Sequence, residues 1–185
     1  MATLATATVM RELGWGGGTP TLMPPDMMRR VAGAVFDAFP LAPGAEFSVE
    51  IDPNEIDEAR LDALAESGLT RASIGVQDFD PEIQKTIGRD QSFEVTAEAV
   101  RMIRDRGIAS LNTDILYGLP HQTPHRISDS IRKLMALSPD RIALYGYAHV
   151  PWMAKRQVMI PDAALPDAPA RLRLFEVARD LLVAD

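Results

Sequence analysis

The stretch EFSVEIDPNE, residues 46–55, decides how the rest of the chain is read. Phe47, Val49 and Ile51 alternate with Glu46, Ser48 and Glu50, the period-two pattern of a strand with one apolar and one polar face. Asp52-Pro53 stops it, because proline cannot donate to the ladder. Toward the N terminus, Met28, Val31, Val35, Phe36 and Phe39 recur at helical spacing after Pro24-Pro25-Asp26 and predict a helix with that stripe against a core. Before it, a strand at about 9–15 runs into the tight turn Gly16-Gly17-Gly18-Thr19-Pro20-Thr21.

Toward the C terminus the rhythm continues. A helix at about 57–66 closes at Gly68, and a strand at 70–76 follows. Helices are expected at 81–87 and at 93–105, the second turning Phe93, Ala97, Val100 and Ile103 inward and ending at Gly107. A strand at 110–116 is broken by Leu119-Pro120, and Ile127, Ile131 and Leu134 mark the next helix. A last strand at 141–147 precedes a Pro-punctuated segment at 151–169 and a helix at about 170–183, buried through Leu174, Phe175, Ala178 and Leu181. Strands alternating with helices over short connections predict an α/β fold with about five parallel strands and right-handed crossovers. Both an open doubly wound sheet and part of a βα barrel satisfy that pattern, and periodicity does not choose between them.

Composition narrows the function. The 185 residues carry a net charge of −7, and no basic stripe suits a phosphate backbone, so no nucleic-acid partner is expected. No apolar run approaches the roughly 18 residues of a membrane span, so no membrane partner is expected either. MATLATATVM, residues 1–10, lacks the basic start of a signal peptide and reads as a disordered or artefactual N-terminus ahead of a single domain over 11–185, with the cytoplasm as the expected location. The sequence contains no cysteine, which excludes disulfides, a cysteine nucleophile and thiolate-ligated zinc or iron–sulfur centres held by this chain alone.

In parallel α/β folds, ligands gather at the carboxyl ends of the strands. Gly16-Gly17-Gly18-Thr19, Glu50-Ile51-Asp52-Pro53, Gln77-Asp78, Asp114 and Tyr147-Ala148-His149 all fall at or near such ends. The glycines let backbone groups approach a ligand closely, though a plain turn has the same composition. Asp114 stands within a strand among apolar neighbours, where an unpaired carboxylate is costly, and this favours a functional role. Glu50 and Arg89 are equally compatible with solvated surface positions. His121 and His125 are four apart, but Pro124 in a loop separates them, which speaks against a metal pair. His149 fits either a substrate mouth or a loop hydrogen bond, and Tyr145 and Tyr147 read as core.

GWGGGTPT (14–21), VEIDPNE (49–55), GVQDFDPEIQKTIGRDQ (75–91), TDILYGLPHQTP (113–124) and YAHVP (147–151) together resemble the oxygen-independent coproporphyrinogen III oxidase family of radical S-adenosylmethionine (SAM) enzymes. The resemblance runs from Gly14 to Asp185 and implies a partial (β/α) barrel of radical SAM type with outer helices. It implies a SAM bound to a [4Fe–4S] cluster and a second SAM beside it. Position by position, Gly17 and Glu50 resemble contacts to the first; Gly18, Thr19, Gln77, Arg89, Asp114 and Ala148 resemble contacts to the second. These types suit the ligand, because carboxylates accept from ribose hydroxyls and ammonium while an arginine pairs with a carboxylate. In the family, reductive cleavage of SAM gives a 5′-deoxyadenosyl radical. Oxidative decarboxylation of two propionates to vinyl groups then yields protoporphyrinogen IX on the route to haem. A tetrapyrrole substrate and a monomeric protein are implied; the electron donor is not.

The family's C-x₃-C-x₂-C loop has no counterpart here, and the closing segments are missing as well. The chain therefore reads as an internal fragment, with no metal ligand of its own, aggregation-prone and inactive in isolation. Two other readings compete: a haem-chaperone-like relative, disfavoured by YAHVP and GVQDF, and a non-catalytic SAM-binding module.

Overall fold

The computed structural model describes residues 9–184. The expectation for residues 1–10 falls largely outside them, although Met10 already belongs to a strand. The elements are β1 (Met10–Trp15), α1 (Pro25–Ala38), β2 (Leu41–Ile51), α2 (Glu58–Glu66), β3 (Arg71–Gln77), α3 (Pro81–Ile87), α4 (Phe93–Asp105), β4 (Ser110–Tyr117), α5 (Pro124–Ala136), β5 (Arg141–Gly146) and α6 (Ala168–Val183). The sheet order is β1-β2-β3-β4-β5, with parallel pairing of β1 with β2, β2 with β3 and β4 with β5. Strictly sequential order is barrel topology; a doubly wound sheet reverses direction at a switch point. That settles the choice left open by periodicity.

The described residues divide into two compact units. The first runs through Ile74 and includes Ala99–Leu111. Leu13 pairs with Phe47 and Trp15 with Val49, so these side chains share a face. Phe47, Val49, Ile51, Leu61, Leu64, Ala72 and Ile74 are all at most 1% exposed and form the core of this unit. Phe47 meets Trp15 and Phe36 edge-on, with ring centroids 5.1 and 5.7 Å away. β2 begins at Leu41, earlier than the alternation predicts. The Met10 amide donates to the Pro40 carbonyl at 2.9 Å, and the register then shifts between Met10 and Glu12. Gly44, in the left-handed region at φ +74, lies in the stretch that takes up the extra residues.

The stripe expected on α1 is corrected in part. Met28 and Ala32 are the buried pair, whereas Val31 is 38% and Phe39 49% exposed. One i, i+4 pair carries the contact, Val31 falls at its rim, and Phe39 lies past the last helical residue as the C-cap. On α4, Ala99, Val100 and Ile103 are buried.

The second unit holds Gly75–Glu98 and residue 112 onward. In α4 its N-terminal turns bury Thr96, while Phe93 and Ala97 are half-buried. Asp80 caps α3 by accepting from the amides of Glu82 (2.9 Å) and Ile83 (3.1 Å), and Gly88 ends that helix in the left-handed region. Asp114 pairs with Ala143 and Tyr117 with Gly146 across β4 and β5. Along β4, Thr113 and Ile115 are buried while Asn112, Asp114 and Leu116 lie half-buried on the opposite face. α6 packs on α5 and buries Leu174 and Ala178; Phe175 and Leu181 are half-buried. Tyr147 packs with Ile83, Leu119 and Ile160 as expected of core. Tyr145 does not, being 56% exposed, because alternation along β5 turns it away from the face that carries Leu144.

Candidate functional site

In the first unit the glycine turn and Glu50 come together. A Cβ on Gly16 would lie 3.2 Å from Glu50 Oε2, so the carboxylate rests against the turn that follows β1. Gly17 adopts φ +79, a conformation side chains resist, and neither Gly17 nor Gly18 has a neighbour where a Cβ would project. Thr19 precedes the single turn Pro20–Leu22, its carbonyl accepting from the Leu22 amide at 3.1 Å. Buried Thr21 accepts from the Asp52 amide at 3.4 Å, joining the turn after β1 to the turn after β2. Open backbone on one side and a carboxylate on the other form a surface that a cationic amino acid can line.

In the second unit Gln77, Gly75 and Arg89 form one cluster. The Arg89 guanidinium donates to the Gly75 carbonyl and, through Nε at 3.0 Å, to Gln91 Oε1. This is no solvated helix end. Gln77 is one of three described non-glycine residues with positive φ, at +68. Its Nε2 lies 2.8 Å from the position of a Cβ on Gly75, so only glycine leaves room for it there. Asp114 accepts from Asn112 Nδ2 at 2.9 Å; burial pushes its carboxyl above the usual aspartate range, against the pull of that amide. Ala148 lies beyond β5, and its carbonyl accepts from Gln157 Nε2 at 3.1 Å.

Four polar residues went unnoticed in the sequence. Gln84, Gln91, Gln122 and Ser130 are buried; Gln84, Gln122 and Ser130 donate to Asp78, itself 0% exposed, and Gln91 joins them by exchanging hydrogen bonds with Gln84. Of the two histidines, His125 Nδ1 lies 3.1 Å from Asp129 Oδ2, and the His121 main-chain amide donates to the Ala164 carbonyl at 2.8 Å. Among the described residues no group of three or more His, Cys, Asp or Glu is arranged to hold a metal. Nor is any described helix long and apolar enough to cross a membrane.

The model of the Radical SAM superfamily matches residues 4–134. The chain belongs to this superfamily. It is 79% identical over 182 residues to an oxygen-independent coproporphyrinogen III oxidase of Paracoccus denitrificans, covering 98% of this chain and 40% of that relative. A second oxidase of the same name from Cereibacter sphaeroides is 56% identical over 184 residues, covering 100% of this chain and 41% of that relative. The radical SAM chain thus spans about two-fifths of the length of these relatives. The structure of coproporphyrinogen III oxidase (HemN) from Escherichia coli superposes with a TM-score of 0.89 at 36% identity, covering 94% of this chain and 40% of that one. The archaeal Elp3 of Methanocaldococcus infernus, at 17% identity and a TM-score of 0.69 over 90% of this chain and 44% of its own, shares the fold.

Radical SAM membership implies SAM and a [4Fe–4S] cluster. The residues present fit the first and not the second. Gly75 leaves room for the Gln77 amide to fold over it beside the Arg89 guanidinium, and an amide next to a guanidinium is a donor set suited to a carboxylate such as that of SAM. A cluster of that kind needs thiolates, and these 185 residues contain none.

Proposed function

We propose that this chain is the SAM-holding part of an oxygen-independent coproporphyrinogen III oxidase. The whole enzyme would remove carbon dioxide and hydrogen from two propionate side chains of a tetrapyrrole to leave vinyl groups, a step of haem biosynthesis. The observation that carries this reading is 79% identity to the Paracoccus relative across 98% of the chain. SAM, when bound, supplies the hydrogen-abstracting chemistry; the chain's own residues bind it, orient it and keep water away.

Gly17 and Glu50 hold one SAM, the glycine through exposed backbone and the glutamate by accepting from ammonium or ribose. Gly18, Thr19, Gln77, Arg89, Asp114 and Ala148 hold a second, with Arg89 against its carboxylate and Asp114 accepting from a hydroxyl or ammonium. The thiolates for the cluster come from polypeptide outside these 185 residues. The working protein is a cytoplasmic monomer.

The test is a chimera in which residues 10–184 replace the matching stretch of the Paracoccus relative. Anaerobic assays should show carbon dioxide release and a divinyl product. Arg89→Ala and Asp114→Ala in the same chimera should weaken SAM binding. A folded chimera that binds SAM and carries its cluster yet decarboxylates nothing would overturn the reading, and stoichiometric haem uptake by it would favour a haem-chaperone role.

A further inference from the structure

Gln77 bends where β3 ends. The Asp78 amide donates to the Val76 carbonyl at 2.9 Å across a Gln77 held at φ +68, which makes residues 76–78 a γ-turn of the rare positive-φ form. A glutamine does not choose this conformation, so its surroundings must impose it. The next residue, Asp78, is held from several sides. Its Oδ1 accepts from the Ser130 hydroxyl at 2.6 Å and from the Asp80 amide at 2.8 Å, and its Oδ2 accepts from Gln122 Nε2 at 2.8 Å. Its main-chain carbonyl accepts from Gln84 Nε2 at 2.7 Å, and the same nitrogen donates to the Gln91 carbonyl at 2.6 Å.

Gln122 is fixed just as firmly. Its Oε1 accepts from the amides of Gly118 (2.7 Å) and Leu119 (3.3 Å), and its Nε2 also donates to the Leu116 carbonyl at 2.9 Å. The buried pair Asp78 and Gln122 therefore ties the turn after β3 to the turn after β4. None of these groups is among the residues that would touch SAM.

We propose that Asp78, through Gln122, is a positioning residue that locks the strained turn at Gln77 and so presents the Gln77 amide and the Arg89 guanidinium to SAM. This rests on the SAM-binding reading above. Asp78→Asn tests it, because the new Nδ2 must face either Gln122 Nε2 or the Ser130 and Asp80 donors. Gln122 cannot turn over without abandoning the Gly118 and Leu119 amides. Ser130→Ala is the comparison, since it removes one donor to Asp78 and the acceptor of the Phe79 amide (3.1 Å) but leaves the Gln122 link intact.

SAM affinity, the thermal midpoint and hydrogen exchange at the residue-78 amide are measured for each variant in the chimera with the Paracoccus relative. Asp78→Asn should weaken SAM binding by about tenfold or more, the scale of one charge-assisted hydrogen bond, and should expose the residue-78 amide to exchange. Ser130→Ala should lower the midpoint while leaving affinity near wild type. Adding Gln122→Glu to Asp78→Asn should recover part of the affinity by restoring a donor–acceptor pair, though its new oxygen opposes the Leu116 carbonyl. Wild-type affinity with a protected amide in Asp78→Asn would overturn the proposal, as would affinity losses that merely track the midpoint in both single variants. If the unsubstituted chimera binds no SAM, the site reading fails. Exchange at residue 78 then judges the lock alone: an amide still protected in Asp78→Asn refutes it, and one that opens upholds it.

Discussion

Gln77 Nε2 lies 2.8 Å from the point where a Cβ on Gly75 would stand, on the same strand two residues away. The side chain folds back over the glycine, and Arg89 anchors to that glycine's carbonyl. An added methyl at position 75 meets the far end of a flexible side chain rather than backbone. The fold therefore tolerates it, and the Gln77 amide moves instead. Gly75→Ala should leave the thermal midpoint nearly unchanged while weakening SAM binding by about tenfold, the loss of one well-placed hydrogen bond. Calorimetric titration beside thermal unfolding separates the two effects. A large fall in midpoint with unaltered affinity would count against the cradle.

Phe47 anchors the first unit. It is 0% exposed and edge-on to both Trp15 and Phe36. Phe47→Ala removes those contacts and leaves a cavity beneath β2, so it should cost about 3–5 kcal/mol of stability. Denaturant titration followed by tryptophan fluorescence reads this directly, because Trp15 loses its neighbour. A loss below about 1 kcal/mol would mean that the core is not arranged around this ring.

Much of this architecture was legible. Alternation at Phe47, Val49 and Ile51 placed β2 correctly on its buried face, and Ile127, Ile131 and Leu134 did the same for α5. The early start of β2 was hidden because Pro43 and Gly44 look like a turn, while the pairing of Met10 with Leu41 is a long-range event. Asp114 was visible as a carboxylate among apolar neighbours. The amide network was not. Gln84, Gln91 and Gln122 have the composition of surface, and only tertiary packing reveals that each feeds a buried carbonyl or carboxylate. Positive φ at Gln77 has no sequence signature, since glutamine is not a residue that favours it.

Asp114 offers a pH signature. Burial raises its carboxyl in the folded chain, so the fold holds a proton that the unfolded aspartate releases near pH 3.9, about the ordinary value. Between that value and the raised one, the folded state binds more protons than the unfolded state. Stability attributable to this group is thus complete below the unfolded pKa and is lost as pH rises through the folded one. Asp114→Asn abolishes the titration and keeps an oxygen for Asn112. The variant should be more stable than wild type at pH 7, with the gap closing below about pH 4, and should bind SAM more weakly. Asp78 is shifted in the same direction by burial but is common to both proteins, so it cancels in the comparison. A variant less stable than wild type at neutral pH would contradict the assignment.

Iron–sulfur reconstitution gives the last prediction. Thiolates stabilise a four-iron cluster by charge and by covalency that imidazole and carboxylate do not reproduce, and this sequence has three histidines and no cysteine. Anaerobic treatment of the 185-residue chain with ferrous iron and sulfide should leave it without the broad visible absorption of a [4Fe–4S] centre and with no iron retained after desalting. The chimera carrying the relative's remaining segments should take up a cluster under the same conditions. SAM binding to the cluster-free chain should persist through Arg89 and Asp114 and should be weakened by Arg89→Ala. If SAM binds only when iron is present, the cradle at Gly75 and Arg89 is not a binding site in its own right.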